Sequence, residues 1–167
     1  ENRIYKIGAI TKKNETYEQD VDINSKNNHG ETPLMESLYN GFTHKAKLLI
    51  ENGAYVNTKD NLEATPLLVS INKGYIDIVK LLIESGADVN VFVEDYPLIF
   101  QPLIFGNNEI IKYLIEIGAD IEFKNNSSFL VQALLFSNTE IVELCIGKGS
   151  KFSQNILLDV VKRKDGY

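Results

Sequence analysis

Thirty-three residues after Thr32-Pro33-Leu34 the same tripeptide returns as Thr65-Pro66-Leu67, and the offset is kept by Gly41 and Gly74, Gly53-Ala54 and Gly86-Ala87, and Val56-Asn57 and Val89-Asn90. A fixed period of this length means copies of one supersecondary unit, each too small to bury its own apolar surface, so stacking has to supply the core. Two more copies follow with small deletions, in which Gly86-Ala87-Asp88 becomes Gly118-Ala119-Asp120 and then Gly149-Ser150. With 167 residues and 44% hydrophobic content, the chain has enough apolar material for such an array.

Within a copy the local chemistry reads as two helices. Thr32 can cap a first helix with its hydroxyl, and Pro33 fits the first helical position, where its missing N–H is not needed. That helix should run to about Tyr39, and a second, Thr43 to Glu51, turns Ala46, Leu49 and Ile50 to one side. In the next copy Ile78, Val79, Leu81, Leu82 and Ile83 are too many apolar residues for one narrow stripe, so this helix must be covered on more than one side. Leu81, Leu82, Ile111 and Leu114 are read as core.

The third copy departs from the pattern. Its deletion puts Pro97 where Thr65 stands and Leu98 where Pro66 stands, and Pro102 falls inside the expected first helix, at a cost of about 3 kcal/mol or more. The first helix here is therefore expected to be kinked, shortened or replaced by a loop, whereas the second, Asn108 to Glu116, is regular. In the fourth copy Ser127 or Ser128 can cap the first helix, Ala133 takes the small-residue position, and the second helix runs from Thr139 to Ile146. Cys145 falls on its inward side and reads as core filler rather than a reactive thiol.

The stretch Asp60, Thr65-Pro66-Leu67, Gly74-Tyr75, Ile78-Val79, Leu81-Leu82-Ile83, Gly86-Ala87-Asp88-Val89-Asn90 resembles an ankyrin repeat. The resemblance implies an all-α fold, a solenoid of stacked helix-turn-helix pairs with β-hairpin loops. It divides the chain into a degenerate N-terminal cap (1–26), repeats at 27–59 and 60–92, a degenerate third repeat at 93–122, a fourth at 123–152, and a C-terminal cap or truncated repeat at 153–167. In the entry segment, Arg3 to Lys13 can be helical, and Val21-Asp22-Ile23-Asn24 matches Ala87-Asp88-Val89-Asn90, so a hairpin strand is expected there. A last helix is expected over Ser153 to Lys164. Met35 and Leu68 replace the family's usual His, which in ankyrin repeats helps join adjacent repeats by hydrogen bonds, so heavier reliance on apolar packing is expected.

The resemblance further implies an L-shaped stack whose hairpin tips and first helices form a concave face for another protein. Carried over position by position, the partner-binding residues are Tyr39, Leu62, Tyr96, Ile104, Phe105, Leu135 and Phe136. The apolar members crowd the third and fourth repeats, which leaves two readings: an exposed interaction patch, or side chains filling the gap that Pro102 creates.

Other functions find little support. Residues 1–122 carry eleven Lys/Arg against nineteen Asp/Glu, and 123–167 six against four, an acidic body that argues against nucleic acid. The two histidines, His29 and His44, lack motif partners, and there is no metal-ligand cluster, phosphate loop or nucleophile elbow, so no catalytic residue, cofactor or metal is expected. No signal peptide or membrane span is visible, which favours the cytoplasm and no membrane partner. The expected function is a monomeric, non-enzymatic protein-interaction module. The alternative is a regulatory or targeting domain of a larger protein, such as a host-directed effector or viral host-modulating factor, for which the opening at Glu1 and the mid-repeat ending at Tyr167 speak. A poorer third reading is a small enzyme using the carboxylates of Glu31 and Glu94.

Overall fold

The computed structural model describes residues 22–93, 96–121, 129–136 and 138–150. The helices among them are α1 (Pro33–Tyr39), α2 (Thr43–Glu51), α3 (Pro66–Lys73), α4 (Ile76–Glu84), α5 (Phe100–Ile104), α6 (Asn108–Glu116), α7 (Phe129–Leu135) and α8 (Thr139–Gly147). One hairpin, β1 (Phe92–Val93) with β2 (Tyr96–Pro97), precedes α5. The chain divides into two compact units: residues 22–70 with 77–87, and residues 71–76 with the described residues from 88 onward.

In the first unit the threonines cap as expected. Thr32 Oγ1 accepts from the Met35 N–H at 3.4 Å, and Thr65 Oγ1 from Leu68 N–H at 3.1 Å. One turn on, Ser37 and Ser70 donate their hydroxyls back to Pro33 O and Pro66 O at 2.6 and 2.8 Å. These small polar side chains can thus be buried without leaving a donor unpaired. Helix α2 buries Ala46, Leu49 and Ile50, and α4 buries Ile78, Val79 and Leu82.

Leu81 corrects the reading from spacing, because it is only half-buried whereas Leu82 is fully enclosed. A helix turns about 100° per residue, and Leu81 falls to one side of the enclosed stripe of Ile78, Val79 and Leu82.

The joints of the first full repeat, with the segment before it and with the second repeat, are also more polar than expected. Asn24 Oδ1 accepts from Tyr55 N–H at 2.8 Å, Lys26 Nζ donates to Lys59 O at 2.7 Å, and Asn57 Nδ2 donates to Gly86 O at 2.9 Å. Asn61 donates from its backbone to His29 O at 3.0 Å and from its amide to Asn28 O at 3.1 Å. Asn and Lys side chains therefore supply polar joints where, with the family's usual histidine absent, heavier reliance on apolar packing was expected. Gly30 sits beneath this contact at φ +75°, and a Cβ there would meet Asn61 Oδ1 at 2.5 Å and Asn61 N at 2.9 Å. Residues 22–25 form a turn closed by Ser25 N–H to Asp22 O at 3.0 Å, so the strand expected over Val21–Asn24 does not form across its described part.

In the second unit the misplaced prolines find two different solutions. Pro97 lies in β2 opposite Phe92, with Val93 opposite Tyr96, and Leu98 N–H extends the hairpin to Val91 O at 2.9 Å. Helix α5 begins only at Phe100, after an Ile99 N-cap with no side-chain bond, and spans 5 residues against 8 in α3. This late start makes Pro102 the third residue of the helix, in the first turn, where backbone N–H groups have no intrahelical acceptor. The expected shortening is thus the means by which the proline is tolerated.

The space is filled by Leu98, Ile99, Phe100 and Leu103 from this repeat and Phe129 from the next, all buried. Phe100 and Phe129 meet edge to face at 5.3 Å between ring centroids. Ile110, Ile111, Leu114 and Ile115 of α6, Ala133 of α7, and Ile141 and Cys145 of α8 complete the buried set. Helices α6 and α8 are joined by a reciprocal amide pair: Asn138 Nδ2 donates to Asn108 Oδ1 at 2.6 Å, and Asn108 Nδ2 donates to Asn138 Oδ1 at 3.4 Å and Glu140 Oε2 at 2.9 Å. Lys112 adds an ion pair to Glu140, and these two contacts hold the Glu140 carboxyl below the usual range. The helices expected over Arg3–Lys13 and Ser153–Lys164 and the cap at Ser127 or Ser128 lie outside the described residues.

Leu82→Ala is expected to cost about 2–5 kcal/mol through lost burial and a residual cavity, and Leu81→Ala clearly less. Urea unfolding of the two variants checks this; equal costs would refute the assigned packing. Gly30→Ala is expected to destabilise as well, since both the positive φ and the contact with Asn61 oppose a side chain.

Candidate functional site

Asp60 opens the second repeat and shapes its tip. Its Oδ1 accepts from the N–H groups of Leu62 and Ala64 at 2.8 and 2.9 Å, closing a turn in which Glu63 adopts φ +62°. Thirty-three residues earlier Asn27 Oδ1 does the same for His29 and Glu31 at 2.9 and 3.0 Å. The second-repeat turn leaves Leu62 84% exposed.

The other oxygen of Asp60 ties the repeats together, accepting the Tyr39 hydroxyl at 2.6 Å. Burial first, then this hydrogen bond and the charges of Asp60 and Glu31, push the phenol well above its ordinary range. Tyr39, expected as a groove residue, is half-buried with its hydroxyl committed to the neighbouring repeat. Its role here is that of a strut. The sequence signal was present in the paired Asn27 and Asp60, but no spacing rule links a tyrosine to a carboxylate 21 positions away.

Val93 occupies the place of Asn27 and Asp60 in the third repeat and has no side-chain acceptor, so the short β-ladder makes that tip instead. It carries Tyr96, 45% exposed, whose ring lies 5.6 Å from buried Phe100.

At the ends of α5 and α7 stand the other expected residues. Ile104 is 56% exposed, Phe105 53% and Phe136 51%, with Leu135 half-buried. The joints set these ends beside one another. Asn107 Nδ2 donates to Ile71 O at 3.3 Å at the end of α3, and Asn108 pairs with Asn138 just beyond α7. The core next to Pro102 is already filled by Leu98, Ile99, Phe100 and Phe129, so Ile104, Phe105 and Phe136 lie outside it. Tyr39 and Leu62 belong to the first unit, and the remaining five to the second.

His29 and His44 are both exposed, and among the described residues no three His, Cys, Asp or Glu side chains are grouped to hold a metal ion. Among those residues no helix is long and apolar enough to cross a membrane.

The sequence profile described as "Ankyrin repeats (3 copies)" matches residues 9–93, just over half of the chain. The chain belongs to the ankyrin-repeat family. Its helix pairs and hairpin are those of the all-α ankyrin solenoid. Among solved structures it is similar to the human ASB11 ankyrin repeat domain, at 26% identity and a TM-score of 0.67 over 78% of this chain. The match spans 60% of that domain's chain. No curated protein matches by sequence. In all, 427 chains of solved structures match, a breadth that speaks for the scaffold and not for any one partner. Ankyrin repeats are generally protein-interaction modules, typically without enzymatic activity, and use the extended surfaces that repeat stacking creates.

Tyr39→Phe is expected to cost about 1–3 kcal/mol, because it leaves one oxygen of buried Asp60 without its donor. Linkage gives a second check. The unfolded phenol loses its proton near a pH of about 10, and folded Tyr39 holds it more tightly. Its contribution is therefore complete below that pH and declines as pH rises beyond it. Chemical unfolding across this window should show a shallower alkaline decline for Tyr39→Phe than for the parent.

Proposed function

We propose that this chain is a non-enzymatic module that binds a partner protein through an apolar face at its hairpin tips and first-helix ends. Ile104, Phe105, Leu135 and Phe136 are the anchors, with Tyr96 at their hairpin side. On the first unit, taken by itself, exposed Leu62 and half-buried Tyr39 are further partner-binding residues. The observation that carries the reading is the exposure of Ile104, Phe105 and Phe136 while other side chains fill the adjacent core.

Large apolar side chains grouped on a surface cost solubility when left bare and supply most of the affinity when a partner covers them. Here they stand on helix ends held at one-repeat spacing by the Asn108–Asn138 pair, so little ordering remains for association to impose. The acidic balance of residues 1–122 opposes a nucleic-acid backbone as the ligand.

The double variant Phe105→Ser, Phe136→Ser separates binding from packing. Its helical circular dichroism and cooperative unfolding are expected to match the parent, while affinity for a protein captured by the parent falls by about 30-fold or more per anchor. Unfolding of the variant would mean that the two rings belong to the core, and unchanged capture would remove this face as the binding surface.

A further inference from the structure

Both helices of the first full repeat end on the same dipeptide, Asn40-Gly41 after α1 and Asn52-Gly53 after α2, and the sequence contains no other Asn-Gly pair. In this pairing the glycine nitrogen reaches the asparagine side chain with least hindrance, because no Cβ stands in the way. Attack forms a bond from that nitrogen to Cγ and breaks the bond from Cγ to Nδ2. The side-chain nitrogen leaves as ammonia, taking up the proton given up by the glycine N–H. Water then opens the cyclic imide at one carbonyl or the other, leaving aspartate or isoaspartate.

The fold closes this route at both places in the same way. Asn40 holds φ −85°, ψ −1° and Asn52 φ −95°, ψ 14°, whereas ring closure needs ψ rotated far from such near-helical values. The two side-chain amides donate to Glu36 O and Leu48 O, each at 2.7 Å. The attacking nitrogens are occupied too, since Gly41 N–H donates to Leu38 O at 3.2 Å and Gly53 N–H to Ile50 O at 3.0 Å. Both glycines sit in the left-handed region, at φ +76° and +85°, and the following N–H groups of Phe42 and Ala54 complete the caps at 2.8 and 2.9 Å. Electrophile, nucleophile and the torsion between them are released together when the last helical turn opens.

We propose that Asn40 and Asn52 are latent self-modification sites, silent while the two helix caps of the first full repeat are closed and converted to aspartate or isoaspartate when they open. The conversion does not reverse and weakens the cap that failed. A carboxylate has no N–H for Glu36 O or Leu48 O, and it places negative charge at the negative end of a helix. Isoaspartate lengthens the main chain before Gly53 and buried Ala54, which lead to the Asn57 contact with Gly86. The first full repeat thereby keeps a cumulative chemical record of the time its caps spend open, and its loss limits the working life of the module. The other described helix ends that precede a glycine carry Lys73, Ser85, Phe105, Ile117 and Lys148, none of which can do this chemistry.

The test incubates the intact folded chain in mildly alkaline buffer, with and without denaturant. Peptide-mapping mass spectrometry locates amide-to-acid conversion, and enzymatic methylation counts isoaspartate. Both sites should convert at least about tenfold more slowly folded than unfolded, because the rate is scaled by the fraction of time each cap is open. Leu49→Ala, which loosens α2 without altering either dipeptide, should speed Asn52 by the same factor by which it speeds hydrogen exchange at Gly53 and Ala54. If that variant fails to fold, Ile50→Val makes the same comparison with a smaller perturbation. Equal rates in folded and unfolded chains would overturn the proposal, as would a folded rate indifferent to the loosened helix.

Discussion

Helices of five to nine residues are too short to persist in water alone, so everything here depends on burial of one repeat's apolar face against the next. Leu34, Met35, Leu38, Leu67, Ile71 and Leu82 in the first repeats, and Leu98, Ile110, Ile111, Leu114, Phe129 and Leu130 in the later ones, are almost wholly enclosed. Apolar burial is non-directional, however, and would tolerate helices sliding over one another. Register is supplied by a second layer of contacts: the Asn61 bonds to His29 and Asn28, the Tyr39–Asp60 bond, and the Asn108–Asn138 amide pair. Stability and alignment thus come from different residues.

That division explains what could be read beforehand. The limits of α2 and α6, the Thr32 cap and the inward position of Cys145 were legible because they follow from local signals: helical spacing, capping hydroxyls and a glycine after each helix. The choice between Leu81 and Leu82 was not, since both fit an inward stripe and only the neighbouring helices decide between them. Pro102 announced a damaged helix, yet not that the helix would start late enough to place the proline in its first turn. The polar joints were hidden for another reason. Each links groups a repeat or so apart, and their partners are often backbone carbonyls, which leave no mark in a sequence.

The candidate face shows the same mixture. Its residues were found by laying the regular copy over the irregular one, but whether they were bare or buried depended on what else could fill the space. Phe100 and Phe129 fill it, and Tyr96 leans on Phe100 from the hairpin. The apolar residues beyond are left outside as a consequence of that packing. The copy that departs most from the repeat pattern is therefore the one that offers a distinctive surface, whereas the regular second repeat spends its signals on caps, turns and stacking.

Repeat proteins are often treated as strings of interchangeable beads, and the Tyr39–Asp60 bond shows why this one is not. The second repeat can receive a hydroxyl from the first because it begins with a carboxylate; the third begins with Val93, whose side chain has no acceptor. The first repeat offers a tyrosine at that seam, but the second has Asn72 in the equivalent place. The first two repeats are keyed to each other. The order of the copies is itself encoded, so duplication or exchange of a whole repeat would leave the helices intact and still spoil the seams.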